Sequence, residues 1–570
     1  MATLPEVRIS GLKTQTKGFQ KLGNRFSPLI SSLLALLLVE AVCVPRGARA
    51  QEMQSQTAPV IGLQLNPLLE RLREIVSRAE VFDARVSARL DDIEGGKTVF
   101  AHNSHLLVNP ASVTKMFTTA TALCLLHPDY RFKTEVYALR EPEDGIVRGP
   151  LYLKGYGDPF LVNERLHYLA LELKALGIKR IDGPIILDDT YFDEKWEGPG
   201  WSQDDTSRSY RAPMGALSLN FNTVRVLIFP GEKAGGKARV ELMPDSDHLH
   251  LANRVTTARR RTRLWLETDG IGRRTRVLTR GMISEHHPGG RYYARIAYPT
   301  WYTGHSFKKA LRKVGLRTRR TVRRGKVPER AELIYTLRSP ALGELVRKVN
   351  KRSQNFMAEQ LFKTMGAELL GPPGTWYKGQ QVMNSFLEEE VGIPASSYVL
   401  HNGSGLNDVN RVSASYVVTL LTYMWKRFDV RPDFLASLAV AGADGTVSGR
   451  FAHPTVARTM RLKTGGLHNV RALAGYIHSR GNKVYGFAII LTDYSCQGYR
   501  MSRFIDRFAS AVSRSDRDLL VAEEIEVLPL DDEQQSKLIA PIGPPEGNEE
   551  ADIPIGEPIE DNLEETPGGD

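Results

Sequence analysis

The chain has 570 residues, is 42% hydrophobic and 25% charged, and carries a formal net charge of +11. Those values suit a globular protein of several domains. Three cysteines (Cys43, Cys124 and Cys496) are too few for a disulfide framework or a cysteine-rich zinc site, and no dinucleotide fingerprint, P-loop or HExxH motif occurs.

The N-terminus reads as an export signal over residues 1–50. Lys13, Lys17, Lys21 and Arg25 precede an apolar run from Leu29 to Val39, and Ala48-Arg49-Ala50 offers a small-x-small cleavage site. The run is short for a spanning helix, which needs about 20 residues; an uncleaved anchor is the alternative. After it, Asn109-Pro110-Ala111 is a turn-like entry, and Met116, Ala120 and Leu123 recur at helical spacing until Pro128. Ser112 is therefore expected at a helix N-terminus, where unpaired N–H groups favour developing negative charge. Lys115 follows one turn later on the same face. A partly desolvated lysine beside a serine hydroxyl has a lowered pKa and serves as a base. A serine cap with an exposed lysine is the alternative for this string by itself.

The region 134–335 is richer in strand-like alternation, as in Arg225-Val226-Leu227-Ile228-Phe229, and is expected to be an insertion. Its arginine pairs and triplets, such as Arg259-Arg260-Arg261, lack the aromatic interleaving of a nucleic-acid platform. With export, they point to an anionic wall polymer or a peripheral membrane contact, or to plain solvated surface. Further on, Ser353-Gln354-Asn355 reads as a short loop entering an amphipathic helix, within a helical stretch spanning 341–370. The string Lys463-Thr464-Gly465 reads as the end of a strand over 459–463, whose edge suits an extended peptide. A hairpin follows, from Ala472 to His478 and from Val484 to Leu491, then a helix over 498–512. From Glu523 to Asp570 there are sixteen acidic residues against one lysine, so 523–570 is expected to be a disordered acidic tail.

Ser112-x-x-Lys115, Ser353-x-Asn355 and Lys463-Thr464-Gly465 together form the motif set of penicillin-binding proteins and β-lactamases. With Gly155-Tyr156-Gly157-Asp158-Pro159, Asp188-Asp189-Thr190, Asn402-Gly403-Ser404-Gly405-Leu406 and Gly442-Ala443-Asp444-Gly445-Thr446 in the same order, the chain resembles the low-molecular-mass class C penicillin-binding proteins. These are the D-alanyl-D-alanine carboxypeptidase/endopeptidase family of serine peptidases. The resemblance covers roughly Leu65 to Val512.

It implies an α+β, penicillin-binding-protein/β-lactamase-like fold, an antiparallel sheet flanked by helices. The catalytic domain is then split over 62–133 and 336–515 around accessory modules in 134–335. It also implies an exported, periplasmic enzyme acting on peptidoglycan stem peptides and cross-links, with β-lactams as covalent inhibitors and no nucleic acid, metal or cofactor.

By the same resemblance Ser112 is the nucleophile and Lys115 its base. Ser353 is the proton relay, and Asn355 holds the substrate amide or orients Lys115. Lys463 assists the relay and, with Thr464, binds the terminal carboxylate. Ser112 and Gly466 supply oxyanion N–H groups, and Asp188 meets an amino group of the stem peptide, an exposed turn carboxylate being its alternative. Two departures stand out. Gly466 replaces a frequent threonine, which implies weaker carboxylate binding and a lean towards cross-link cleavage. Asp408 stands where an arginine is usual. The alternatives in function are a β-lactamase or esterase on the same fold and a non-catalytic wall-binding protein.

Overall fold

The computed structural model describes residues 66–201, 206–318 and 321–516. The segments expected to be an export signal (1–50) and a disordered acidic tail (523–570) lie outside the described residues.

The chain enters through helix α1 (Pro67–Glu80), which starts sharply because the Asn66 side chain accepts from the Leu68 N–H and Pro67 fills the first turn. Strands β1 (Arg85–Asp92) and β2 (Lys97–His102) lead to helix α2 (Thr114–Leu126). After the insertion come helices α3 (Leu342–Lys351), α4 (Asn355–Leu370) and α5 (Ala414–Lys426). Next are the short strand β3 (Ala439–Val440), strands β4 (Met460–Leu467), β5 (Val470–His478) and β6 (Val484–Thr492), and helix α6 (Gly498–Ser513). The strands form one six-stranded antiparallel sheet in the order β3-β4-β5-β6-β1-β2.

Strand alternation splits the apolar residues of this sheet between two cores. On β5, Val470, Ala472, Ala474 and Tyr476 face a core with Met116, Phe117, Met357 and Leu361 of α2 and α4. Leu473 and Ile477 face the other way, with Leu72 and Val76 of α1 and Ile505 and Phe508 of α6. The α+β architecture expected from the sequence is therefore a helix–sheet–helix sandwich, with α5 lying on one face and sharing its core with α2 and α4, and α1 and α6 against the other face.

The inserted region has its own core. A five-stranded sheet runs in the order 322–324, 185–188, 151–155, 133–138, 332–338. Its strands Lys133–Ala138 and Glu332–Arg338 pair antiparallel, so the segments leaving and rejoining the catalytic part close on each other. These strands begin one residue before and end three residues after the insertion bounds expected from the sequence. Three three-stranded sheets, built on 249–258, 274–284 and 263–271, on 290–295, 223–229 and 239–243, and on 317–318, 180–181 and 146–147, lie in the insertion with helices over 163–175 and 299–313. Cys124 is buried, Cys496 is half-buried, and neither forms a disulfide.

Candidate active site

Ser112 does not sit in the α-helix proper. The Asn109 side chain accepts from the Ala111 N–H at 2.8 Å, and a 3₁₀ turn over Ala111–Val113 precedes α2. Ala111 has a φ of +45°, a strained value for a non-glycine residue directly before Ser112. Lys115, one turn on, is completely buried and donates to Ser112 Oγ at 2.9 Å, to Asn355 Oδ1 at 2.7 Å and to the Ser404 carbonyl at 2.7 Å. The exposed-lysine alternative is thereby set aside. Desolvation lowers the Lys115 pKa to about 7, against an opposing pull from the Glu359 carboxylate.

The stretch 341–370 expected to be helical is two helices broken where the second motif lies. The Gln354 N–H closes back on the Val349 carbonyl at 3.0 Å, Ser353 takes a φ of +54°, and the Gln354 side chain then caps α4 through the Phe356 N–H. This puts Ser353 in the loop and Asn355 in the first turn of α4. The Asn355 amide nitrogen donates to the Tyr210 carbonyl of the insertion at 3.0 Å, which leaves its oxygen directed at Lys115.

The third motif also departs from expectation. Strand β4 does not end at Lys463 but runs on to Leu467, paired with β5 throughout. On its other side, β3 pairs only with Arg461 and Leu462, so Lys463 to Leu467 form an open edge among the described residues. Lys463 is completely buried and donates to Ser353 Oγ at 2.9 Å and to the Thr464 carbonyl at 2.7 Å. Burial, then the nearby charge of Lys115, hold its pKa well below the ordinary value. The Thr464 hydroxyl faces the other way and meets Thr446 Oγ1 at 2.8 Å. Gly465 lets the strand approach the Ser112 turn, since a Cβ there would stand 2.7 Å from the Pro110 carbonyl oxygen.

Ser112, Lys115 and Asn355 thus form one hydrogen-bonded group and Ser353 with Lys463 another, close enough that the charge of Lys115 helps to lower the Lys463 pKa. Thr464 and Gly466 lie on the open edge beside them. Asp188 does not join this network. It is fully buried rather than exposed, and its oxygens accept from Thr190 and from the Val327 N–H at 2.8 Å, with Lys154 3.9 Å away. Asp408 accepts from Asn109 at 2.8 Å and from Arg411 at 2.6 Å, bracing the turn before Ser112.

Sequence reasoning gave no role to Glu359. It is buried, accepts from the Gly403 and Ser404 N–H groups and from the Trp376 indole, and so fixes the loop whose Ser404 carbonyl holds Lys115. Its position one turn beyond Asn355 on the same helix face was the available signal. Gly405 has a φ of +73°, and a Cβ there would stand 1.9 Å from the Ala111 carbonyl oxygen, so this loop presses directly on the Ser112 turn. Among the described residues no cluster of histidine, cysteine and carboxylate groups could hold a metal ion, and no helix is long and apolar enough to cross a membrane.

Comparisons with known proteins place the whole chain rather than single residues. The chain is 26% identical over 409 residues to the D-alanyl-D-alanine carboxypeptidase DacB of Haemophilus influenzae, covering 71% of this chain and 84% of that protein. It is 30% identical over 439 residues to the D-alanyl-D-alanine carboxypeptidase of Actinomadura sp. (strain R39), covering 74% and 80%. The crystal structure of penicillin binding protein 4 (dacB) from Haemophilus influenzae shares the fold, with a TM-score of 0.70 at 22% identity over 78% of this chain and 99% of that one. The family model described as the D-Ala-D-Ala carboxypeptidase 3 (S13) family matches residues 68–511, and the chain belongs to that family.

Proposed function

We propose that this protein is a penicillin-binding serine D-alanyl-D-alanine carboxypeptidase and endopeptidase, exported to the periplasm, that cleaves peptidoglycan peptides through a Ser112 acyl-enzyme. The observation that carries this reading is the contact of Lys115 with Ser112 Oγ at 2.9 Å by an amine whose pKa is lowered to about 7 by burial. A neutral amine there takes the hydroxyl proton as Ser112 attacks the carbonyl of a D-Ala-D-X bond. The N–H groups of Ser112 and Gly466 receive the oxyanion. Ser353, held by Lys463, passes a proton to the departing amine. Asn355 keeps Lys115 aligned, and Lys463 with Thr464 attracts the carboxylate of the leaving residue. Water then releases the acyl group, and a β-lactam blocks that step. Asp188, engaged with Thr190 and Val327, contributes to binding only through the shape of the insertion.

The test is mass spectrometry of muropeptides after incubation with the purified protein, together with labelling by a fluorescent penicillin. Loss of terminal D-Ala and of cross-links, and labelling that disappears in Ser112→Ala while the fold is retained, are the expected results. Unchanged muropeptides, or labelling that persists in the variant, would refute the reading.

A further inference from the structure

The open edge of β4 has one face on which a ligand carboxylate is expected, and the residues sharing it can be read from the ladder. Met460 and Leu462 point into the core formed with α1 and α6, so Thr464 and Gly466 point to that same side. Across the antiparallel pair Gly466 stands opposite Arg471, and paired residues project from the same face. The guanidinium lies over the glycine: a Cβ at 466 would be 3.7 Å from Arg471 Nη1.

Arg471 is held there from two sides. Its Nη1 donates to the Leu467 and Val470 carbonyls, the latter at 2.7 Å. Its Nη2 packs against Gly498, the first residue of α6, where a Cβ would stand 2.2 Å away. Among the described residues, no carboxylate forms an ion pair with this half-buried cation. The first turn of α6 carries no acidic residue, and Gln497 makes no side-chain cap. A guanidinium and the positive end of a helix thus converge without an anion. With Nη1 engaged by two carbonyls, Nε and Nη2 are the paired donors that Arg471 can present to a carboxylate, where a threonine offers one hydroxyl.

We infer that Arg471 is a specificity-determining residue that binds the carboxylate of the leaving amino acid, taking the place of the hydroxyl missing at Gly466. This rests on the proposed reaction and deepens it. The favoured substrate class is peptides whose leaving residue has a free α-carboxylate, whether a terminal D-Ala or the D-centre of a cross-link, and peptides amidated there are discriminated against. The expectation that Gly466 weakens carboxylate binding, and so favours cross-links, loses its basis, because the space left by the side chain holds a cation.

The test is calorimetric binding to Ser112→Ala protein of a D-Ala-D-Ala-terminated peptide with a free carboxylate and of the same peptide as its C-terminal amide. The free acid is expected to bind about tenfold or more tightly than the amide. Adding Arg471→Ala should remove most of that preference, Arg471→Lys should keep part of it, and Gly466→Thr on top of Arg471→Ala should restore part of it. A preference that survives Arg471→Ala, or no preference in the Ser112→Ala parent, overturns the inference. Penicillin labelling of the protein with Ser112 intact reads the reaction separately: labelling with no role for Arg471 sinks this inference alone, and its absence sinks the proposed function.

Discussion

At the scale of single residues, the site turns on keeping an amine uncharged in a buried place. Lys115 has no carboxylate in hydrogen-bond contact; its partners are a hydroxyl, an amide oxygen and a backbone carbonyl. Desolvation therefore dominates and sets its pKa at about 7. A base works in its neutral form, so acylation by a β-lactam should rise with pH through a midpoint near that value and fall as acid protonates the amine. An unperturbed lysine would place the limb near the ordinary value of roughly 10.4. Because Lys463 is buried within the field of Lys115, the limb reports the pair. Lys115→Arg keeps the charge permanently and should lose about three or more orders of magnitude in acylation rate, a loss comparable with that of other general bases. A stopped-flow pH profile checks both statements. A limb near pH 10, or near-normal acylation by the arginine variant, would remove Lys115 from the role of base.

At the scale of elements, helix α4 organises the site. Asn355, Glu359 and Lys363 follow at four-residue intervals on one face, and they hold Lys115, the loop at Gly403–Ser404, and Asp193 with the Lys195 carbonyl. Glu359 offers two oxygens to three N–H donors, so Glu359→Gln turns one acceptor into a donor that faces another donor. That mismatch should cost about 1–3 kcal/mol of stability. The variant should also move the rising limb of acylation towards acid, since the carboxylate that raises the Lys115 pKa is gone. A lowered melting temperature with an unmoved limb would reduce Glu359 to a structural residue. The same helix marks what a sequence discloses. The three motifs, the hairpin at 470–492 and the last helix follow from local periodicity and short spacings, and all are present. The break at Ser353 depends on a positive φ and a glutamine cap, and the extension of β4 beyond Lys463 depends on its pairing with β5. Arg471 gains meaning only through its register opposite Gly466. Those features come from pairing and backbone geometry, which periodicity does not encode.

At the scale of the whole molecule, the insertion braces the catalytic part from positions remote in sequence. The Tyr210 carbonyl orients Asn355, the Gly215 carbonyl accepts from Gln360, the Gly200 carbonyl accepts from Asn407 at 2.7 Å, and Asp193 pairs with Lys363 at 2.6 Å. Residues 193–200 and 210–215 of the insertion therefore touch both α4 and the loop that supports Lys115. Lys363 is the most deeply committed of these links. Its side chain is fully buried, its amine lies 4.1 Å from the Trp376 ring centre, and its pKa is lowered by burial against the pull of Asp193. Lys363→Met keeps most of the volume but leaves Asp193 without its cation. Removing one partner of a buried pair costs on the order of 3–5 kcal/mol, with the lower end expected here because Asp193 retains some contact with water. The loss should appear as a lower melting temperature and as faster proteolytic cleavage within 193–200 or 210–215. Penicillin acylation should slow at the same time, because these segments, once loosened, no longer fix Asn355 against Lys115. If the variant melts and is cleaved like the wild type, the insertion is a passenger rather than a brace. Normal acylation by a variant that is cleaved faster would separate docking of the insertion from alignment of the catalytic amine.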